Sequence, residues 1–228
     1  MTSSYQNLMF YCDNLSGTSK VNIVAGEASK VKIVHSLLLH NYDTLNRNVS
    51  VFLNNGVSDV EMYTLRASAS LQSADTLNIA DFLGGLPIPN GYTLKAQQDT
   101  DNTISVIASG REQSGTPTRY SHLPFFVNDL SGTSQVSVVS GEAGKIKYVG
   151  ALLIHNKDVV QRDGLLEVYN GSSDITMFEL SLESADTLNL IDLKGPGMPI
   201  AENFSIKVTQ DTDNTYTVFA FGSEETIS

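Results

Sequence analysis

Tryptophan is absent from this chain, cysteine occurs once, and no apolar run approaches the length of a membrane span. Each absence excludes something. Without Trp the favoured platform for sugar rings is missing. A carbohydrate site would have to rest on the nine Tyr and nine Phe, most of which sit in apolar runs where core packing claims them. The single cysteine, Cys12, permits no internal disulfide and gives no sign of an oxidising compartment. The polar, uncharged start Met-Thr-Ser-Ser-Tyr-Gln-Asn lacks the basic and apolar regions of a signal peptide, so the expectation is a soluble chain made in the cytoplasm. Basic residues are also scarce. Fourteen Lys and Arg against 25 Asp and Glu give a net charge of −11, with no Lys/Arg cluster. Such a surface repels phosphate backbones and anionic lipid, so neither nucleic acid nor membrane is expected as a partner. Windows of 3.6 period with caps are missing as well, which leaves helix unsupported.

What the chain does contain is itself, twice. Leu-Ser-Gly-Thr-Ser stands at 15–19 and 130–134, Ser-Ala-Asp-Thr-Leu-Asn at 73–78 and 184–189, and Gln-Asp-Thr-Asp-Asn-Thr at 98–103 and 210–215. The order is kept and the offset drifts only from 115 (130 minus 15) to 111 (184 minus 73) to 112 (210 minus 98). That is a tandem duplication of one domain-sized unit with small loop insertions. The boundaries read as a first β-sandwich domain over 1–112, a polar linker over 113–122 and a second sandwich over 123–228.

Short alternating runs fill both copies. In the first they are Leu8–Cys12, Val21–Val24, Val31–Leu39, Val49–Leu53, Met62–Leu71, Thr76–Ile79, Tyr92–Ala96 and Ile104–Ala108. The second copy matches each of them, from Phe125–Val127 to Tyr216–Phe221. Gly, Asn, Asp and Ser punctuate the runs, which predicts about eight short strands per copy in an all-β sandwich or barrel. Val31–Leu39 and Ile146–Ile154 are too apolar for plain alternation. They read as central strands covered on both faces, or as strands running into a bulge.

Four features carry possible chemistry. Asp99, Asp101, Asp211 and Asp213 alternate oxygen ligands like the start of a calcium loop, but the Gly and Glu of an EF-hand are missing. The same residues suit a hairpin turn between Tyr92–Ala96 and Ile104–Ala108. His40-Asn41 and His155-Asn156 close the central strand in both copies, and without a nucleophile motif they read as strand-end groups capping the backbone. His35 aligns with Gly150 and is not shared. Asp75 and Asp186, with Glu61 or Glu179 as partner, could pair as hydrolytic carboxylates, yet a local side-chain turn before the strand at Leu77 or Leu188 explains them more simply. Cys12 alternates with Val127, which predicts a small core residue. The Gly/Pro segments Leu83-Gly-Gly-Leu-Pro and Lys194-Gly-Pro-Gly-Met-Pro read as surface loops rather than phosphate loops. No catalytic set and no cofactor site emerges.

The order of motifs resembles a family. Ser36-Leu-Leu-Leu-His-Asn41 and Ala151-Leu-Leu-Ile-His-Asn156 lead through a variable turn to Val49-Ser-Val-Phe-Leu or Leu165-Leu-Glu-Val-Tyr. Ala-Asp-Thr-Leu-Asn, a Gly/Pro loop and Tyr92-Thr-Leu-Lys-Ala or Phe204-Ser-Ile-Lys-Val follow, and Ile104-Ser-Val-Ile-Ala-Ser-Gly-Arg-Glu112 or its partner closes each copy. This is similar to the small β-sandwich domains of tailed-bacteriophage virion proteins, found in capsid decoration (cement) proteins and in neck and tail accessories. The resemblance implies two tandem jelly-roll-like antiparallel sandwiches and a non-enzymatic role on the virion. It also implies a major capsid protein or other virion protein as partner, and assembly as a homotrimer. The alternative is a tail fibre, baseplate or neck accessory with a glycan- or host-surface-binding sandwich. The turn reading of the Asp-Thr-Asp-Asn motif makes a prediction: a chelator leaves the melting temperature unchanged, and a drop of several degrees on chelation would restore the calcium reading.

Overall fold

A computed structural model describes residues 4–66, 70–79, 85–114, 123–192 and 197–226. The chain divides into two units, Met1–Pro117 and Thr118–Ser228. Strands in the first are β1 (Ser4–Asn14), β2 (Val21–Ala25), β3 (Lys30–Asn41), β4 (Val49–Asn54), β5 (Asp59–Leu65), β6 (Thr76–Asn78), β7 (Leu86–Ile88), β8 (Thr93–Gln98) and β9 (Ile104–Ser114). The second repeats them as β10 (Leu123–Asp129), β11 (Val136–Ser140), β12 (Lys145–Asn156), β13 (Arg162–Tyr169), β14 (Asp174–Leu182), β15 (Thr187–Asp192), β16 (Met198–Ile200), β17 (Ser205–Gln210) and β18 (Tyr216–Thr226). No helix occurs among the described residues, and so none is long and apolar enough to cross a membrane.

The first unit pairs its strands antiparallel in the orders β1-β9-β3-β6 and β2-β8-β4-β5, with β7 also on β3. The second repeats this as β10-β18-β12-β15 and β11-β17-β13-β14, with β16 on β12. Because β6 and β7 share one edge of β3, they act as a single interrupted strand. Eight strands per unit then divide between two sheets in jelly-roll order. Each unit is therefore an all-β, jelly-roll antiparallel sandwich.

Alternation builds the core. Ile104, Val106 and Ala108 of β9 point inward and are fully buried, while Ser105 and Ile107 between them are half-buried. Val49, Val51 and Leu53 do the same from β4 in the facing sheet. Removing one such Leu or Val from water contributes roughly 1.5–3 kcal/mol. Phe52 points outward, yet Lys20 lies over it with its ammonium 3.9 Å from the ring centre. The apolar excess of Val31–Leu39 has two causes. β3 is central, and its register shifts between Val34 and Ser36, so the inward set changes phase there. β12 shifts at the equivalent place, between Val149 and Ala151.

Several expectations need correction. Gln113 and Ser114, expected to open the linker, pair as the last residues of β9, and 115–122 lie outside the described residues. β5 stops at Leu65 rather than running on to Leu71, which instead bridges Arg47. The Gly/Pro segments are not wholly loops: Leu86–Ile88 and Met198–Ile200 are short strands, with Ile88 and Ile200 fully buried. Pro87 and Pro199 fit because these strands sit at an edge, where a missing N–H costs nothing. Residues 83–84 and 194–196 of those segments lie outside the described residues. The Asp-Thr-Asp-Asn turn is not a hairpin, since β8 and β9 belong to different sheets. It arches across the end of the sandwich. Cys12 is exposed, because it points away from the core beside Ile107.

Two glycines hold the opposite end closed. Gly26 N donates to Tyr92 O and Gly141 N to Phe204 O, each at 2.8 Å. A Cβ on Gly26 would lie 1.8 Å from Pro89 O, and one on Gly141 1.8 Å from Ala201 O. Gly26→Ala and Gly141→Ala are each expected to cost about 1–3 kcal/mol, read as a fall of several degrees in Tm by calorimetry. Gly150→Ala, whose Cβ meets nothing within 4 Å, is the control and should leave Tm in place.

Candidate functional site

Jelly-roll topology sends β1 to β2, β3 to β4, β5 to β6 and β8 to β9 across from one sheet to the other, all at one end of the sandwich. A crossing strand leaves its sheet ladder, so its backbone groups lose their partners. The Leu-Ser-Gly-Thr-Ser, His-Asn, Ser-Ala-Asp-Thr-Leu-Asn and Gln-Asp-Thr-Asp-Asn-Thr repeats lie at these four crossings, where side chains replace the lost partners.

Gln98 is the central one. It is 2% exposed. Its amide nitrogen donates to Leu15 O at 2.8 Å and Gly17 O at 2.9 Å, in the β1–β2 crossing. Its oxygen accepts from Thr103 N at 3.1 Å and Ile104 N at 3.0 Å, where β9 begins. All four hydrogen-bonding positions of the amide are filled. Gln210 repeats the set with Leu130 O, Gly132 O, Thr215 N and Tyr216 N, at 2.8–3.1 Å. Asn41 does the same work for the other two crossings: its amide nitrogen faces Leu45 O, Leu71 O and Gln72 O at 2.8–3.0 Å. Asn156 faces Val160 O, Leu182 O and Glu183 O at 2.8–2.9 Å. Arg47 then bonds Asp43 at 2.7 Å and Thr100 at 3.0 Å, and Arg162 matches it with Asp158 and Thr212.

The four aspartates considered for calcium are placed by this network. Asp101 accepts Gly17 N at 2.6 Å and Asp213 accepts Gly132 N at 2.6 Å. Asp99 accepts Asn48 N at 3.1 Å. Asp211 holds its crossing through its backbone, donating from N to Asp163 O at 2.9 Å. Asn102 and Asn214 adopt φ of 56° and 59°, the left-handed conformation that Asn tolerates. Among the described residues, no group of three or more His, Cys, Asp or Glu is placed to hold a metal ion.

His40 Nδ1 lies 3.1 Å from Asp75 O and 2.9 Å from Thr76 Oγ1, and His155 Nδ1 lies 3.1 Å from Asp186 O and 2.8 Å from Thr187 Oγ1. A His–Thr contact raises the thought of a base and a nucleophile. The Asp75 and Asp186 carbonyls only accept, so in the tautomer whose Nδ1 carries the ring proton that nitrogen donates to them and cannot draw a proton from the threonine. Asp75 and Asp186 serve through their backbone oxygens here. Glu61 and Glu179 belong to β5 and β14 in the facing sheets, so the crossings do not bring them together with the aspartates as a carboxylate pair.

A second repeated brace escaped the sequence reading. Gly-Glu-Ala-x-Lys stands at 26–30 and 141–145. It closes the opposite end, with Lys30 bridging Glu27 at 3.2 Å and Glu112 at 3.0 Å, and Lys145 bridging Glu142 at 2.8 Å and Glu224 at 3.1 Å. Hydrogen bonds donated by Lys32 and Lys30 hold the Glu27 carboxyl below its ordinary range, and those that Lys30 donates to Glu112 and Glu27 hold its ammonium above its own. The signal was in the duplication. Near it, Asp59 accepts from Lys95 at 2.7 Å, Asn54 at 2.8 Å and Lys20 at 3.2 Å. Burial pushes this carboxyl up, but the three donors outweigh it and hold the pKa at about 2.

No family model matches the chain, and no curated protein matches it. Among solved structures, it is similar to PNGase F, a glycosylasparaginase from Flavobacterium meningosepticum, at 11% identity over 99% of this chain and 97% of that one, with a TM-score of 0.39. It is similar to the major capsid protein P2 of bacteriophage PM2 at 12% identity over 99% and 98%, with a TM-score of 0.35. The VP2 subviral particle protein of infectious bursal disease virus follows at 8% identity over 98% and 70%, with a TM-score of 0.20. At such scores the likenesses carry no argument about activity, and the jelly-roll assignment rests on strand order.

The repeated chemistry of this end holds crossings in place. Gln98→Ala or Gln210→Ala strips partners from two buried carbonyls and two N–H groups, so each should cost about 2–4 kcal/mol and lower the Tm of the protein in calorimetry. An unchanged Tm would mean that these amides are not structural.

Proposed function

We propose that the chain is a structural virion protein, a capsid decoration (cement) protein that binds across junctions between capsid subunits as a homotrimer. Its two units, Met1–Pro117 and Thr118–Ser228, are the repeated binding modules in this reading. The observation that carries it is what the duplication keeps. Both units retain the amide-braced crossings and the Gly-Glu-Ala-x-Lys brace, and in both the strand-end histidine lies against a backbone carbonyl and a threonine hydroxyl of the next crossing. Retained scaffold with divergent surface suits placement rather than turnover.

The mechanism is mass action on assembly. A protein that buries surface across a junction, and so binds assembled shell better than free subunits, makes subunit separation cost more. Three chains with two similar domains each would present six modules to a pseudo-sixfold surface. The acidic surface keeps such a protein off packaged nucleic acid and off membranes.

The test is to mix the purified protein with expanded shells of a major capsid protein from the same genome. Co-sedimentation with shells, a raised temperature of shell disruption and a trimeric mass in solution are expected. No binding to shells, or labelling at a tail tip by electron microscopy, would overturn the capsid placement. Hits on a glycan array would favour a receptor-binding tail accessory instead.

A further inference from the structure

Asn-Gly pairs occur at 55–56, 90–91 and 170–171. Asparagine is a chemically labile residue, and this pair is where its lability is greatest. The backbone nitrogen of the following residue attacks the side-chain carbonyl carbon, and glycine, with no Cβ, obstructs that approach least. A new C–N bond closes a cyclic imide. The amide nitrogen leaves as ammonia, taking the proton of the attacking N–H with it. Water then opens the imide at either carbonyl. One opening gives aspartate. The other gives isoaspartate, whose main chain runs through the former side-chain carbon.

Two of the three pairs are restrained. Asn55 Oδ1 accepts Val57 N at 3.0 Å and Ser58 N at 2.9 Å. The nitrogen that would attack it, Gly56 N, itself donates to Asn54 Oδ1 at 2.9 Å. Asn170 Oδ1 accepts Ser172 N and Ser173 N, each at 3.0 Å, and the Ser172 hydroxyl at 2.8 Å. Attack at either asparagine first has to break these bonds.

The third pair is open. Tyr92 N donates to Pro89 O at 3.0 Å and Gly91 has a φ of 86°, so Asn90 and Gly91 are the corners of a type II turn. Both are exposed, and a Cβ on Gly91 would meet nothing within 4 Å. Among the described residues, no hydrogen bond or ion pair holds the Asn90 side chain. We infer that Asn90 is a deamidation site, converting to aspartate and isoaspartate ahead of Asn55 and Asn170.

The duplication says which product matters. In the second unit Phe204 N donates to Ala201 O at 3.1 Å, so Ala201-Glu202-Asn203-Phe204 is the equivalent turn and Glu202 stands where Asn90 does. The framework therefore accepts a carboxylate at this corner. Isoaspartate is different, because it adds a methylene to the main chain inside the turn. The turn has no slack for it. Gly26 N donates to Tyr92 O at 2.8 Å, and Pro89 O lies only 1.8 Å from where a Cβ on Gly26 would be. The change is one-way and confined to the first unit, so it marks the age of a chain by loosening one of its two sandwiches. It is independent of the virion reading.

The full chain is aged in warm, mildly alkaline buffer and digested. Peptides spanning the three pairs are read by mass spectrometry for the shift from amide to carboxyl, and isoaspartate is counted with an isoaspartyl methyltransferase. The Asn90 peptide should convert several-fold faster than the other two. Asn90→Gln, which would have to close a larger ring, should lose conversion at this position and melt with the fresh wild type. Asn90→Asp should also melt with the fresh wild type, while the isoaspartate-bearing fraction of the aged chain melts below it. Equal conversion at the three pairs, or a lead by Asn55 or Asn170, would refute the assignment of the site. An isoaspartate fraction that melts with the fresh chain would refute the strain at the turn.

Discussion

Everything at the repeated end of each sandwich depends on a buried primary amide. A jelly roll changes sheet at most of its connections, and every change strips backbone groups of ladder partners inside a low-dielectric interior. A carboxylate could accept but not donate, and a hydroxyl has only one proton. The glutamine amide brings two donors and two acceptors on one short planar group, which is what Gln98 needs to join the exit of β1 to the start of β9. Asn41 serves the other two crossings from the end of β3. Because the amide is neutral, it escapes the desolvation penalty of a buried ion. The sandwich can therefore close tightly at that end, and the aspartates and the arginine around it act as outer braces.

The parts of this fold that could be read from sequence are those set by neighbours along the chain. Period-two alternation in Ile104–Ala108 and the left-handed asparagines of Asp-Thr-Asp-Asn are local, and both appear as expected. Pairing is not local. Nothing within Gln-Asp-Thr-Asp-Asn-Thr distinguishes a hairpin from an arch between sheets, because the same turn chemistry serves both. The distinction lies in whether Gln98 finds Leu15, 83 residues away. Cys12 shows a different limit. Its alternation with Val127 signals a shared direction along the strand, but that direction is outward, and whether an outward face is covered depends on surroundings the strand does not encode. The site was legible as a set of repeated motifs. Its character as a bonded cap was not, since the partners of Asn41 and Gln98 are backbone carbonyls, which every residue possesses.

Comparison of the copies separates two kinds of constraint. Amides, crossing aspartates, bulge positions and the Gly-Glu-Ala-x-Lys brace recur because they answer to topology, which both units share. Outward positions such as Ile107 against Phe219, or Ser109 against Phe221, diverge because the shared topology does not fix them.

One feature of the pairing also bears on how such a chain came to be and how it bears load. β1 runs antiparallel to β9 with Ser4 opposite Ser114, and β10 to β18 with Leu123 opposite Gly222. Each unit thus begins and ends side by side at one edge of its sheet. A duplicated gene segment could be spliced in at that point without rethreading any strand. Tension applied along the chain meets these strands at their adjacent ends, so it opens their ladder one rung at a time, as a zipper opens, rather than loading all rungs together. Resistance to pulling would then have to come from contacts made by the faces of the sheets, not from the terminal ladder.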